Sequence, residues 1–550
     1  MVLISIDPRK STAIPGKPYQ EEILMDALHE KKQHNELNLL KKHKKGILRL
    51  VFSRTGITIL LLLLCVFCFV VSEMLFAQIL IKILGGVWLF NLIVIVYLVS
   101  TDMDSSAKLT WILVISATSV FGTLFYIYTK SGVGNRKVGR ACLDLIEVHK
   151  DEIAQDEAVT AQLEEDNPES VDLVHYLNHS GTFPVTTGNR VTYYPVGDEA
   201  FEPMLADLER AEKFIFLEYF IIDEGKMWGS ILHILAEKAK QGVDVRVLYD
   251  GTCAISLLPY GYPKMLEELG IKCRMFAPLH PFLSTHYNNR DHRKIMVIDG
   301  KVGYTGGINL ADEYINHIER FGHWKDTALR VEGRAVDNFT LMFLNMWSLG
   351  EKDPDYRSYL GLADRFEDGG YVVPYGDNPF DRDKVGEKVY MHILNRADRY
   401  VHIMSPYLIL DDELLMALKY SAERSIDTKL ILPGIPDKAA VYAIAKTYFK
   451  TLLDSGVEIY LYTPGFVHAK VFVSDDVKAV VGTINLDYRS LYHHFECAAY
   501  LCGTGCVADI ESDFQETLKK CERITYESIK KEKASVRLTG SFMRLIAPLL

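Results

Sequence analysis

The sequence predicts an α/β protein: two pseudo-symmetric halves, each a mixed sheet flanked by helices, behind an N-terminal helical transmembrane region. Three observations predict it. A polar motif occurs twice, the same succession of strands and helices surrounds each copy, and three apolar blocks stand ahead of both. A chain of 550 residues is too long for one core and fits several domains of ~150 residues each.

In chain order, residues 1–54 form a polar tail ending in the basic cluster Lys41, Lys42, Lys44, Lys45, Arg49 and Arg54. Residues 55–130 hold the apolar blocks, about 56–71, 74–100 (interrupted by Lys82) and 110–128. Their length and near-absence of charge fit membrane spans of ~20 residues, and the apolar region starts too late and runs too long for a signal peptide. Lys130, Arg136, Lys137 and Arg140 then match the basic cluster ahead of the blocks. Like-sided flanks require an even number of spans, so one of the three blocks is expected to be re-entrant or interfacial.

Residues 131–188 carry an acidic run that includes Glu164, Glu165, Asp166 and Glu169, which reads as a solvated helix or linker. Globular structure begins at Val191-Thr192-Tyr193-Tyr194-Pro195, within a first half spanning 189–365. There the pattern gives a strand over 214–222, a helix over 227–241, strands over 243–249 and 271–276, and a strand beside His292. The second half, 366–550, repeats that order with a strand at 400–405, a helix at 412–422, strands at 427–432 and 457–462, and a strand beside His468. Duplicated halves place a site at the seam between them. The closing stretch, 537–550, puts apolar residues on one side of a short helix with Arg537 and Arg544 opposite, as either an interfacial helix on anionic lipid or a helix packed on its own domain would.

The motif itself is Asp291-His292-Arg293-Lys294-Ile295-Met296-Val297-Ile298-Asp299-Gly300, and 176 positions later Val467-His468-Ala469-Lys470-Val471-Phe472-Val473-Ser474-Asp475 repeats its polar skeleton. Gly306 and Asn309 follow His292 at the spacing with which Gly482 and Asn485 follow His468. On a strand, residues two apart share a face, so each imidazole and its ammonium are expected to point into one space. Asp299 falls at an odd offset before Gly300 and is expected to close the strand through a turn. A site built from both copies would hold two imidazoles, two ammoniums and two carboxamides. That is a cage for an oxyanion with a nucleophile on one side and a proton donor on the other, which suits a phosphodiester.

Composition narrows the field. A net charge of −11 argues against a nucleic-acid partner. The nine cysteines, Cys65 and Cys68 in an apolar run and Cys502-x-x-x-Cys506 among them, have no metal spacing and read as free thiols in a reducing compartment. No metal and no other cofactor is expected, since two lysines already supply the positive charge that a metal would bring.

The paired motifs resemble the phospholipase D superfamily, whose HxKxxxxD motif occurs twice in two-domain members, here as His292/Lys294/Asp299 and His468/Lys470/Asp475. The stretches Phe216-Leu217-Glu218-Tyr219-Phe220, Gly306-Gly307-Ile308-Asn309, Pro464-Gly465-Phe466-Val467-His468-Ala469-Lys470 and Gly482-Thr483-Ile484-Asn485-Leu486-Asp487-Tyr488-Arg489-Ser490 are similar to bacterial cardiolipin synthases in particular. The resemblance runs from about Val191 to the C-terminus, with a similar membrane segment ahead of it. One departure is Gly307, where many members have Ser or Thr, as the second copy does at Thr483; a backbone contact is expected to substitute. Glu496 matches a family carboxylate that hydrogen-bonds a catalytic imidazole, fixing its tautomer, and Asp326 is the candidate for that job in the first half.

The resemblance implies a membrane-bound, multi-pass enzyme of the bacterial plasma membrane with a cytoplasmic catalytic region. Its reaction would be phosphatidyl transfer between two phosphatidylglycerol molecules, giving cardiolipin and glycerol. His292 would attack phosphorus to form a phosphatidyl-histidine while His468 protonates the departing glycerol, with Lys294, Lys470, Asn309 and Asn485 on the non-bridging oxygens. Its partners are phosphatidylglycerol and other membrane lipids. Three rivals stand beside it: a phospholipase D with water or another alcohol as acceptor, a nuclease, which the acidic balance disfavours, and an inactive scaffold, which complete motifs disfavour.

Overall fold

The computed structural model describes residues 86–549 apart from 132–134, 260, 279–288, 352–353 and 382, together with residues 67, 70 and 71. Seven strands form the sheet of the first half: β1 (Arg190–Tyr194), β2 (Phe214–Tyr219), β3 (Asp244–Asp250), β4 (Lys272–Phe276), β5 (Lys294–Ile298), β6 (Val302–Gly306) and β7 (Ala328–Glu332). They lie in the order β1-β7-β6-β5-β2-β3-β4. The second half supplies β8 (Tyr371–Asp377), β9 (Tyr400–Met404), β10 (Asp427–Pro433), β11 (Glu458–Tyr462), β12 (Val471–Ser474), β13 (Lys478–Gly482) and β14 (His494–Cys502). Their order is β8-β14-β13-β12-β9-β10-β11, the same path, with Thr186–Thr187 and Cys521–Arg523 added at its two edges. The register repeats as well: Ala328 pairs with Gly306 as Ala498 pairs with Gly482.

Both sheets are mixed. The β2–β3–β4 and β9–β10–β11 pairings are parallel and the rest are antiparallel. A parallel neighbour needs a crossover, which Lys226–Lys240 supplies after β2 and Asp412–Glu423 after β9. Because helices cover both faces, β2 and β5 are buried along their whole lengths and read as nearly unbroken apolar runs. The helix Val336–Trp347 is buried at almost every position, which its run of Phe339, Leu341, Met342, Phe343 and Leu344 allows. One apolar cluster runs through both halves, from Phe216, Ile295, Val297 and Phe339 to Val401, Ile431, Phe472 and Val480. The halves therefore share a core rather than meeting as separable domains.

One expectation is narrowed and one needs correction. Of the two forms expected for the acidic segment, the helix is the one observed, packed on the body rather than free. Its helices Glu157–Asp166 and Pro168–Gly181 bury Leu163, Val171, Leu173, Val174 and Leu177, and Ser170, fully buried, bonds Tyr500 at 2.8 Å. The acids sit on the outer faces, where Glu169 reaches Lys478 and Asp166 reaches Tyr371. The expected spans fail to appear. The first block and the start of the second lie outside the described residues. The remainder forms Gly86–Val99 and Ser105–Thr118, 14 residues each, and Val120–Ser131, 12 residues. Such helices are about 20 Å long against the ~30 Å of a bilayer core, and Ser119, at φ +53°, breaks the third block in two. Among the described residues no helix is long and apolar enough to cross a membrane, so they give no support to a multi-pass arrangement.

These helices still present Trp88, Leu89, Ile93, Val96, Leu109 and Leu124 at the surface. The C-terminal helix Ala534–Ile546 joins them, Thr110 Oγ1 donating to Leu545 O at 2.7 Å. Arg544 turns inward, 3.9 Å above the Tyr448 ring, while Arg537 stays exposed and donates to the Ile529 and Lys530 carbonyls. Leu538, Phe542 and Leu545 face out. The seven described cysteines are free, Cys502 and Cys506 among them.

Candidate active site

Two short crossings of the seam build the site. Arg290–Asp291, just ahead of His292, runs parallel to the start of β14 and pairs Asp291 with Phe495. Gly465–Val467, just ahead of His468, runs parallel to His323–Lys325 and pairs Phe466 with Trp324. The backbone N–H of His292 then donates to Phe495 O at 2.9 Å, and that of His468 to Lys325 O at 2.7 Å. Each histidine therefore sits just before its strand, β5 or β12, not on it as the spacing suggested. It has left one half's sheet to bond the other's.

The consequence is an exchange of carboxylates. His292 Nδ1 meets Glu496 Oε2 at 2.9 Å, and His468 Nδ1 meets Asp326 Oδ2 at 2.6 Å. Asp326 does not serve its own half; it serves the other. With Nδ1–H committed to a carboxylate, Nε2 of each ring keeps its lone pair for chemistry. Lys470 Nζ also lies 2.9 Å from His468 Nδ1, but that nitrogen cannot donate to Asp326 and accept from a lysine at once; the shorter, charge-assisted bond to Asp326 takes it. Both lysines instead donate to a histidine carbonyl, Lys294 to His292 O at 2.5 Å and Lys470 to His468 O.

Burial governs the titration of this group. It drives His292 well below the ordinary imidazole range and His468 down to about 4, with Lys470 and Lys294 adding to the push on His468. Burial likewise pulls Lys294 down to about 8 and Lys470 to about 7, the latter also repelled by Lys294 across the seam. Glu496 is fully buried, which opposes its ionisation, yet it is held far below the usual carboxylate range by the His292 bond. It also accepts from Thr483 Oγ1 and from Ser490 Oγ at 2.7 Å.

The two halves solve the same packing problem differently. Thr483 and Gly307 occupy equivalent positions, Thr483 N–H donating to Cys497 O and Gly307 N–H to Thr327 O. The threonine hydroxyl reaches the long Glu496. Asp326 is one methylene shorter, so its carboxyl sits closer to the backbone: a Cβ on Gly307 would meet Asp326 Cγ at 2.7 Å and His468 O at 2.8 Å. The departure at Gly307 is thus room made for Asp326, and Thr327 N–H, at 2.9 Å from Asp326 Oδ1, is the backbone contact that replaces the hydroxyl.

Asp299 and Asp475, grouped with the catalytic residues by their motif, lie at the far ends of β5 and β12, ~16 Å of strand from the lysines. Each adopts a left-handed backbone, φ +54° and +60°. Each accepts three backbone N–H groups: Asp299 from Glu212, Lys213 and Phe214, and Asp475 from Asp398, Arg399 and Tyr400. They anchor the starts of β2 and β9 and do not face the seam, which corrects their place in the catalytic set. The carboxamides differ too. Asn309 bonds Ile221 N–H at 3.0 Å and Tyr314 Oη at 2.7 Å, whereas Asn485 Oδ1 is buried with no partner among the described residues.

Several groups at the site went unread in the sequence. His494 has its ring 5.4 Å from that of His292, which Phe220 flanks at 4.8 Å. Trp324 and Tyr314 lie 5.5 and 5.4 Å from the His468 ring. The signal was available: Trp324 and His494 each stand two residues before the carboxylate of their half. Donor atoms of His292, His494 and Glu496 fall within 4.8 Å of one another, but His292 Nδ1 is engaged by Glu496, and Lys294, whose charge depresses His292, makes a poor neighbour for a cation.

Known proteins match this architecture. A family profile described as "Cardiolipin synthase, PLD-like domain" matches residues 204–347 and 390–518, one segment in each half. An uncharacterized protein of Streptococcus mutans is 54% identical over 459 residues, covering 83% of this chain and 99% of its own length. Cardiolipin synthases of Geobacillus kaustophilus and Alkalihalophilus pseudofirmus are 34% and 37% identical, covering 84% and 80% of this chain and 92% and 88% of theirs. The crystal structure of phosphatidylserine synthase from Haemophilus influenzae superposes with a TM-score of 0.55 at 14% identity, covering 70% of this chain and all of that one, which speaks to the fold. A duplicated HxK site with exchanged carboxylates, matched along most of its length by these relatives, makes the chain a member of the cardiolipin synthase family and a phosphatidyltransferase of that type.

Proposed function

We propose that the chain transfers a phosphatidyl group from one phosphatidylglycerol to another, yielding cardiolipin and glycerol. The carrying observation is the crossed pair of imidazoles, each with Nδ1 tied to a carboxylate and Nε2 free, beside two buried lysines. His292 Nε2 attacks phosphorus, the bond to the glycerol oxygen breaks, and His468 gives that oxygen a proton. The incoming hydroxyl then returns its proton to His468 as its oxygen bonds phosphorus and the N–P bond breaks. The number of phosphodiester bonds is unchanged, so no nucleotide is consumed. Lys294, Lys470, Asn485 and the remaining N–H of Asn309 hold the non-bridging oxygens. The anionic substrate offsets the lysine charges that keep His468 neutral in the empty site, and so readies it to carry a proton.

The outward apolar helices and the stripe of Leu538, Phe542 and Leu545 support seating on a lipid surface. The test is to supply the purified chain with phosphatidylglycerol alone and resolve the lipids by mass. Cardiolipin and free glycerol are the expected products; phosphatidic acid instead of cardiolipin would make the chain a phospholipase D, and the absence of both would refute the reading. Mapping the phosphorylated residue of a trapped intermediate checks His292 against His468.

A further inference from the structure

The register that makes Asp326 and Glu496 equivalent also pairs Trp324 with His494. Both are buried, at 5% and 8% exposure, and both leave a ring nitrogen with no hydrogen-bond partner among the described residues: Trp324 Nε1 and His494 Nδ1. His494 Nδ1 lies 3.6 Å from Glu496 Oε1, too far for a hydrogen bond but within the field of a charge. The Trp324 ring is enclosed by Tyr314, Phe321 and Phe466, with centroids at 4.8, 6.3 and 4.9 Å, and faces the His468 ring at 5.5 Å. Its backbone is fixed, Asn316 Oδ1 accepting Trp324 N–H at 2.8 Å and Asn316 Nδ2 donating to Trp324 O at 3.1 Å. A buried N–H without an acceptor destabilises the fold, and a rigid one at a reaction centre is a donor awaiting a ligand oxygen.

The two half-sites are thereby unequal. In an in-line displacement the leaving and entering alcohols use one apical position, opposite the nucleophile. With His292 as nucleophile that position is beside His468, and so beside Trp324. Resting on the phosphatidyl-transfer reading above, we propose that Trp324 is the acceptor-specificity residue, its indole N–H donating to a second hydroxyl of the alcohol whose first hydroxyl reacts. A glycerol headgroup offers two oxygens, one to attack phosphorus and one to accept from Trp324. Water has a single oxygen and cannot do both. Trp324 thus favours a polyol acceptor over water, while His494 stands on the His292 side, where no alcohol enters or leaves.

The experiment compares Trp324→Phe, His494→Asn and the unaltered chain on phosphatidylglycerol, measuring the ratio of cardiolipin to phosphatidic acid. One neutral hydrogen bond predicts a fall in that ratio of about five- to tenfold for Trp324→Phe and none for His494→Asn, whatever happens to total turnover. An unchanged ratio in Trp324→Phe, or a fall in His494→Asn alone, overturns the assignment. A second readout does not depend on turnover: the indole ¹⁵N–H resonance lost in Trp324→Phe should shift in the unaltered full-length chain when glycerol is added. No shift overturns the proposal even if the substituted chain fails to fold. An unaltered chain that makes neither product overturns phosphatidyl transfer itself, which is a different failure.

Discussion

Adding one methyl group at residue 307 should disable the half-site of His468. A Cβ there would lie 1.9 Å from Asp326 Oδ1 and 2.7 Å from Asp326 Cγ, whereas non-bonded atoms settle at ~3.5 Å, so the carboxyl must retreat by roughly 1.5 Å. A retreat of that size opens the Asp326–His468 bond, now 2.6 Å long, beyond useful hydrogen-bond length. Backing away is blocked elsewhere, because His468 O stands 2.8 Å from the same Cβ and belongs to the strand crossing. A histidine stripped of its orienting carboxylate loses on the order of 10²–10⁴ in rate, about 3–5 kcal/mol of transition-state stabilisation. Gly307→Ala should therefore lower cardiolipin formation by at least about a hundredfold in protein whose melting temperature shows it folded. Thr483→Ala, which removes a donor to Glu496 but displaces nothing, should cost far less, about tenfold. A Gly307→Ala enzyme within about threefold of the unaltered rate would refute the account of why glycine stands there.

Other outcomes follow from the same geometry. kcat/KM should decline as pH rises through about 7 to 8, because the cationic forms of Lys470 and Lys294 are the ones that hold phosphate; a flat profile to pH 9 would contradict the burial of those lysines. Alanine at His292 or His468 should leave less than about a hundredth of the activity, measured as cardiolipin formed per folded molecule. Asp475→Asn should lower the melting temperature while leaving the rate per folded molecule within about threefold, since Asp475 holds three backbone N–H groups away from the seam. The stability it contributes is present at neutral pH and fades as pH falls through its depressed carboxylate range, so unaltered and substituted chains should converge in acid. Aspartate at Leu538 and Phe542 together should reduce sedimentation with phosphatidylglycerol vesicles; undiminished binding would remove that helix from the membrane contact.

Much of the catalytic body was legible because it is written twice. Strand order could be inferred from apolar runs of matching length around His292 and His468, and repetition turned a weak HxK signal into a strong one. What escaped was everything that depends on the third dimension. No spacing announces that Glu496 belongs to His292 and Asp326 to His468, since the strand crossings that exchange them are only two or three residues long. Asp299 and Asp475 were grouped with the histidines because the motif is contiguous, although five residues of strand carry them to the opposite end of the sheet. The acidic stretch around Glu164 was read by its charges, while its burial is decided by the apolar residues between them, Leu163 and Val171 among others. Hydropathy over 110–128 could not register the break at Ser119, which is a matter of one backbone angle.

The exchange of carboxylates also bears on the chain's birth. His292 is translated 204 residues before Glu496, the group that orients it. While the ribosome is still adding β8 to β11, the first half carries His292 with neither its orienting carboxylate nor its partner histidine. Asp326, already made, waits likewise for a histidine 142 residues downstream. The paired site cannot form piecemeal; it is complete only once residue 496 of 550 has been added.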